Sequence, residues 1–277
     1  MAADAQAPVA GASPERIEPR LGAFDAAMVV VSLVIGTGIF RTPALVAQAA
    51  GSSGRFFAAW SVCGLVSLFG ALTYAEIGSR LPRTGGYYRV VADAYHPLVA
   101  FMLNWAQAVM QGAGAAGVAF IGAEYLLPLV APDVERSPSA VLPLALALMG
   151  ILLVLNYLGI RTGSHTQNVL SLLKIAMILG LGLAPFVLGH VPPPPSALLG
   201  GPATAGGMVA AAVACFYAYG GYQMAMNLGG DVRRARRNLP LAICGGMLVV
   251  VALYLLINAA YHATLGVQGV AQSKLVA

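Results

Sequence analysis

The chain has 277 residues, 59% hydrophobic and 9% charged, with a formal net charge of +5. Soluble domains carry roughly 25% charged residues, so this composition excludes one, and apolar runs of about 20 residues, enough to cross a bilayer core, recur along the chain. The basic residues fall in short loops between those runs, which excludes a nucleic-acid footprint.

Residues 1–22 are rich in Ala, Pro and charge and read as a disordered cytoplasmic tail. They are not a signal peptide, because the apolar run that follows is too long and no Ala-x-Ala site ends it. Seven spans follow, at about 26–50, 56–79, 97–130, 140–159, 167–189, 206–229 and 240–263. The third is long enough to be tilted or to extend beyond the bilayer. Turn signals separate the spans: Gly51-Ser-Ser-Gly, Pro82-Arg-Thr-Gly-Gly, Pro132-Asp, Arg161-Thr-Gly-Ser, Pro192-Pro-Pro-Pro and Arg236-Arg-Asn-Leu-Pro.

Loop charge orients the chain. With the N-terminus in the cytoplasm, the inside holds Arg16, Arg20, Arg80, Arg83, Arg89, Arg161, Arg233, Arg234, Arg236 and Arg237, and the outside Arg55, Arg136 and Lys274. Ten against three is a positive-inside bias. An odd number of spans then leaves the C-terminus outside. Residues 264–277 read as an extracellular loop remnant, and the chain as truncated after its seventh helix.

Two spans are interrupted. Gly36-Thr37-Gly38 falls near the middle of the first, and Gly220-Gly221, between two tyrosines, inside the sixth. A membrane helix tolerates a break only where the freed backbone is buried in protein or lines a cavity. The half-helix starting near Ile39 would offer N–H groups and a positive dipole end to an anion. The half ending near Ile35 would offer carbonyls to a cation or ammonium. Two breaks five spans apart are the pattern of an inverted-repeat transporter, and facing breaks suit a free amino acid, which carries both charges. Close helix packing is the plain alternative for such glycines.

Lys174 lies inside the fifth span, where an ammonium costs on the order of 3 kcal/mol and faces a cavity or partner. Gln167, Ser171 and Lys174 share one helix face, which should point inward. Snorkelling to the inner headgroups is the alternative for Lys174. Asn104, Gln107 and Gln111 form a second stripe, and Tyr219, Gln223 and Asn227 a third, both read as interhelical hydrogen bonding. Glu76 stands four residues before Arg80, as an inner-surface ion pair or a cytoplasmic gate. Cys63, Cys215 and Cys244 have no metal-ligand spacing and read as small buried hydrophobes.

The motifs Ile35-Gly-Thr-Gly-Ile-Phe with Pro43, Ala71-Leu-Thr-Tyr-Ala-Glu-Ile-Gly, Leu81-Pro-Arg-Thr-Gly-Gly-Tyr-Tyr, Phe216-Tyr-Ala-Tyr-Gly-Gly-Tyr and Arg236-Arg-Asn-Leu-Pro occur in this order. In them the chain resembles the amino acid–polyamine–organocation superfamily, nearest its L-type exchanger and bacterial amino acid permease branches. The resemblance implies an all-α integral membrane fold of the leucine-transporter type, five helices repeated upside down. This chain would hold the first repeat, 23–189, and the first two helices of the second, 206–263. By resemblance the substrate carboxylate meets N–H groups at Thr37, Gly38 and Ile39. The ammonium meets carbonyls around Ile35, Tyr217, Ala218 and Gly220. Tyr217 matches an aromatic gate over the substrate, and Gly36, Phe216 and Tyr219 belong to the same two segments. A lysine matching Lys174 occupies the place of the sodium ion in sodium-coupled relatives and couples a proton or acts as a fixed cation. Arg41 departs from the family motif, which is apolar or small there. Sodium-coupled relatives carry an outer-gate arginine at this spacing from the proline, but such a gate needs an acid on a late helix that this chain lacks. Outward snorkelling is the alternative.

The implied function is secondary active transport of a neutral amino acid across the cell membrane by alternating access, through proton symport or exchange. The alternative is a non-transporting membrane fragment or an amino-acid-sensing membrane protein. No cofactor, metal or nucleic acid is expected, the partners are a free amino acid and the lipid bilayer, and a protein partner is left open. A seven-helix receptor or retinal protein would place its N-terminus outside, and a retinal protein would need a lysine in the seventh span. An enzyme would need a nucleophile with its base or clustered ligands, whereas His96, His165, His190 and His262 are scattered. A channel would show continuous polar pore rings rather than two interrupted helices.

Overall fold

A computed structural model describes residues 19–36, 38–81, 85–134, 137–157, 164–189 and 205–273. The described chain is helical. α1 (Ala23–Val34) and α2 (Gly38–Ala50) form the interrupted first span, bent by 48°. There follow α3 (Ser53–Arg80), α4 (Gly86–Ala94), α5 (Pro97–Val130), α6 (Pro138–Tyr157), α7 (Ser164–Leu188) and α8 (Ala205–Tyr219). A 3-10 helix, Tyr222–Asn227, precedes α9 (Ala235–Gln272). Among the described residues four helices are individually long and apolar enough to cross a membrane, and the bent α1–α2 pair passes the same measure when taken together, which gives up to five spans.

The α1–α2 pair, α3, α5, α7 and α9 fall on five of the seven expected spans, because apolar length is a local property, while α6 and α8 fall on the other two and are shorter among the described residues. Three departures come from tertiary contact. Residues 19–22, assigned above to the free tail, are tied down. Arg20 and Leu21 both donate their N–H to the Asp231 carbonyl at 2.9 Å, and Leu21 accepts from the Arg233 N–H at 2.8 Å. α4 was not anticipated. It is seated on the 3-10 helix, where the Tyr87 N–H donates to Asn227 Oδ1 at 3.2 Å and Gly86 lies against the Met226 carbonyl. The segment after 263, expected as a loop, stays helical to Gln272. It bends at Gly266, whose φ of 64° an L side chain resists, and Gln48 Nε2 holds the bent end through the Ala271 carbonyl at 2.6 Å. The rest of the tail (1–18), Pro82–Thr84, Arg136, Arg161, His190, the proline run at 192 and Lys274 lie outside the described residues, as does the His165 side chain.

α9 is the central post, packed on α3, α1, α7 and α2. Its tight seams use small residues: Gly246 meets Val30, where an added Cβ would stand 2.8 Å from the valine. Trp60, Tyr219 and Tyr254 form a fully buried aromatic cluster joining α3, α8 and α9, with ring centroids 5.3 to 5.9 Å apart. α5 and α6 form a separate layer with a core of Ala123, Leu127, Val141 and Ala145. Side-chain contacts between α5 and α2 include the Phe40 and Tyr125 rings at 6.4 Å and an ion pair between Arg41 and Glu124.

Candidate substrate site at two broken helices

Both expected interruptions exist. α1 stops at Val34, Ile35 turns to an extended conformation (φ −74°, ψ 93°), and α2 begins at Gly38. α8 stops at Tyr219, and Gly221 takes φ 118° before the 3-10 helix. The two breaks abut. The Leu33 carbonyl fills the place a Gly221 Cβ would need, with its carbonyl carbon at 3.0 Å and the Val34 nitrogen at 3.4 Å. On the other half, a Cβ on Gly38 would meet the Ala218 Cα at 3.1 Å. Glycine at 38 and 221 therefore lets the backbones touch.

The freed groups divide into satisfied and available ones. The fully buried Tyr254 donates its hydroxyl to the Val34 carbonyl at 3.1 Å, which occupies one of the acceptors ending α1. Gln223 Oε1 accepts the Gly221 N–H at 3.0 Å, and the Gly220 N–H turns back to the Tyr217 carbonyl at 3.3 Å. At the start of α2 the first-turn N–H groups have no carbonyl four residues earlier within the helix, so they present donors and a positive dipole end. Gly36 is exposed, with nothing within 4 Å of the position of a Cβ, so the break opens to space on that side.

A cavity of about 730 Å³ runs along this half. Gly38, Arg41, Thr42 and Leu45 of α2 line it opposite Val213 and Tyr217 of α8. Tyr217 is 72% exposed and Phe216 43%, while Ile35, Ile39, Ala218 and Tyr219 are buried. The Tyr219 side chain belongs to the core, since its hydroxyl donates to the Trp60 carbonyl at 3.2 Å. Thr37 lies outside the described residues.

The polar stripe of α7 faces α1. Ser171, fully buried, lies 3.1 Å from the Met28 carbonyl, 2.7 Å from the Gln167 carbonyl and 2.9 Å from the Ser32 hydroxyl. The Lys174 ammonium stands 3.5 Å from Ser32 Oγ, three residues before the break. At the other end of α1, Asn168 donates to Asp25 Oδ1 at 2.6 Å while Asp25 Oδ2 accepts the Gly22 N–H at 2.9 Å. Glu76 pairs only with Arg80 among the described ion pairs, at 2.5 Å, and both side chains are more than 60% exposed. Of the other stripes, Gln223 and Asn227 act as caps for Gly221 and Tyr87.

Arg41 has an acidic partner that the sequence reading did not name, on α5 and not on a late helix. Glu124 of α5 stands 3.2 Å away. It is the single charged residue between 97 and 130, a signal the sequence carried, because an ionised side chain inside a span implies a partner or cavity.

Comparison of the sequence with known proteins supplies the family. The model of the amino acid permease family covers residues 21–277. The chain belongs to the amino acid permease family. It is 30% identical over 268 residues to the human b(0,+)-type amino acid transporter 1, covering 94% of this chain and 54% of that protein. It is 28% identical over 253 residues to the human cystine/glutamate transporter, 90% of this chain and 50% of that one. The serine/threonine exchanger SteT of Bacillus subtilis (strain 168) is 29% identical over 245 residues, 87% and 54%. The chain thus spans about half the length of these relatives. Family and apolar helices together make it a multi-pass membrane protein of the permease class.

Proposed function

We propose that this protein takes part in secondary active transport of a neutral amino acid across the cell membrane, binding it where the first and sixth spans are interrupted. The observation that carries the reading is the contact of Gly221 with Leu33, which brings the two freed backbones together. A zwitterion needs donors for its carboxylate and acceptors for its ammonium within a few ångströms. The start of α2 offers N–H groups and a dipole end. The carbonyls around Ile35, Tyr217, Ala218 and Gly220 are the candidate acceptor set, and Tyr217, which lines the cavity, is the candidate cover over a bound molecule. Ile39 and Phe216 flank this set. Neutrality of the substrate rests on the absence of an acidic residue at either break, and a serine/threonine exchanger is among the relatives. Lys174, near Ser32 on α1, is the candidate for coupling transport to a proton or for a fixed cation. Glu76 with Arg80 remains a candidate cytoplasmic gate. The excess of arginine in the loops assigned to the inside supports a cytoplasmic N-terminus.

Transport in proteoliposomes tests this. Saturable uptake of radiolabelled neutral amino acids is expected. Stimulation by internal amino acid would identify exchange, and stimulation by an inward proton gradient would identify symport. Uptake that never saturates, or no uptake and no binding of any amino acid, overturns the reading.

A further inference from the structure

We propose that the Arg41–Glu124 ion pair sets the charge selectivity of this site, holding the cavity electrically neutral so that it accepts uncharged side chains and rejects charged ones. The inference rests on the transport reading above. Arg41 is the charged residue lining the cavity, one turn past the Gly38 start of α2 and on the wall that also holds Thr42 and Leu45. Glu124 reaches it from α5 at 3.2 Å, and the two side chains are 46% and 22% exposed. Glu124 itself is not among the lining residues. The cavity wall therefore carries Arg41, with its charge balanced by a carboxylate that reaches it from α5.

Charge is expensive in such surroundings. The remaining lining is mostly apolar: Leu45, Ala49, Ile121, Ala210, Val213 and Ala214. A substrate bringing an acidic side chain would have to compete with Glu124 for Arg41, and a basic one would meet the guanidinium with no carboxylate on the cavity wall to receive it. Either leaves one charge unmatched at low dielectric. A neutral side chain leaves the pair intact. Specificity then comes from a repulsive element built into the wall, with no contact to the amino and carboxylate groups that every amino acid shares.

Binding of radiolabelled serine, glutamate and lysine to the full chain in lipid nanodiscs tests the assignment. Glu124→Gln leaves Arg41 unmatched and is expected to raise glutamate affinity relative to serine by on the order of tenfold. Arg41→Gln is expected to shift preference toward lysine by a similar factor, and the double Arg41→Gln, Glu124→Gln chain to return to serine. A pair that only ties α2 to α5 would lower the melting temperature of each variant without changing the ratios, and that result overturns the proposal. If the single variants fail to fold, the swapped chain Arg41→Glu, Glu124→Arg keeps a pair but turns the acid to the cavity. Lysine is then expected to gain over glutamate, and unchanged ratios overturn the proposal. A parent protein that binds serine while every variant keeps its ratios sinks this inference alone. A parent that binds no amino acid sinks the transport reading and this inference with it.

Discussion

Gly221 packs onto the carbonyl of Leu33 with a backbone φ of 118° and no room for a Cβ. This one contact joins the end of α1 to the end of α8, and a side chain there is opposed twice, by conformation and by space. Gly36, in the other break, has a clear surround. The same residue type thus serves two ends, close approach at 221 and open backbone at 36.

Gly221→Ala should lower stability by about 1–3 kcal/mol from backbone strain alone, with loss of transport, because the methyl group must push α1 away from α8. Gly36→Ala should fold like the parent. Thermal unfolding of both variants in the same detergent checks the contrast, and equal melting temperatures would contradict it.

Tyr254→Phe removes the hydroxyl that satisfies the Val34 carbonyl while keeping the ring against Trp60 and Tyr219. A buried acceptor left without a donor costs about 1–3 kcal/mol. The expected outcome is a lower melting temperature, with substrate affinity altered through the freed carbonyl. Unchanged stability would mean that water replaces the hydroxyl.

Lys174→Ala should change how transport depends on pH, since its ammonium stands beside Ser32 on the helix that breaks three residues later. Initial uptake rates across a pH series provide the measurement. Parent rates with an unaltered profile would remove Lys174 from the mechanism.

Glu76→Gln separates a gate from a helix-surface pair. Both partners are largely exposed, and such a pair contributes about 0.2–1 kcal/mol at most. Stability should stay near that of the parent, so a drop in uptake rate at unchanged melting temperature would mark Glu76 as a gate. An unaltered rate would leave it as a surface pair.

Asn168→Leu tests the tie between α7 and α1. It removes the donor to Asp25 Oδ1, a charge-assisted bond worth about 1.5–3 kcal/mol. Asp25 keeps its bond to the Gly22 N–H, so the loss should sit at the low end of that range, read from thermal unfolding.

The sequence by itself determined the helical membrane class, both interruptions and the family. Apolar length, glycine in mid-helix and motif order are local properties, and a bilayer punishes any unpaired backbone enough to make them decisive. Tertiary structure alone decided what each freed group meets. Tyr254 reaches Val34 across 220 residues, and Tyr219 turned out to bond the Trp60 carbonyl across 159 residues. Glu124 was visible as a lone charge, but its pairing with Arg41 depends on how the α5–α6 layer leans on α2. No periodicity encodes such pairings, because they follow from the packing of helices far apart in the chain.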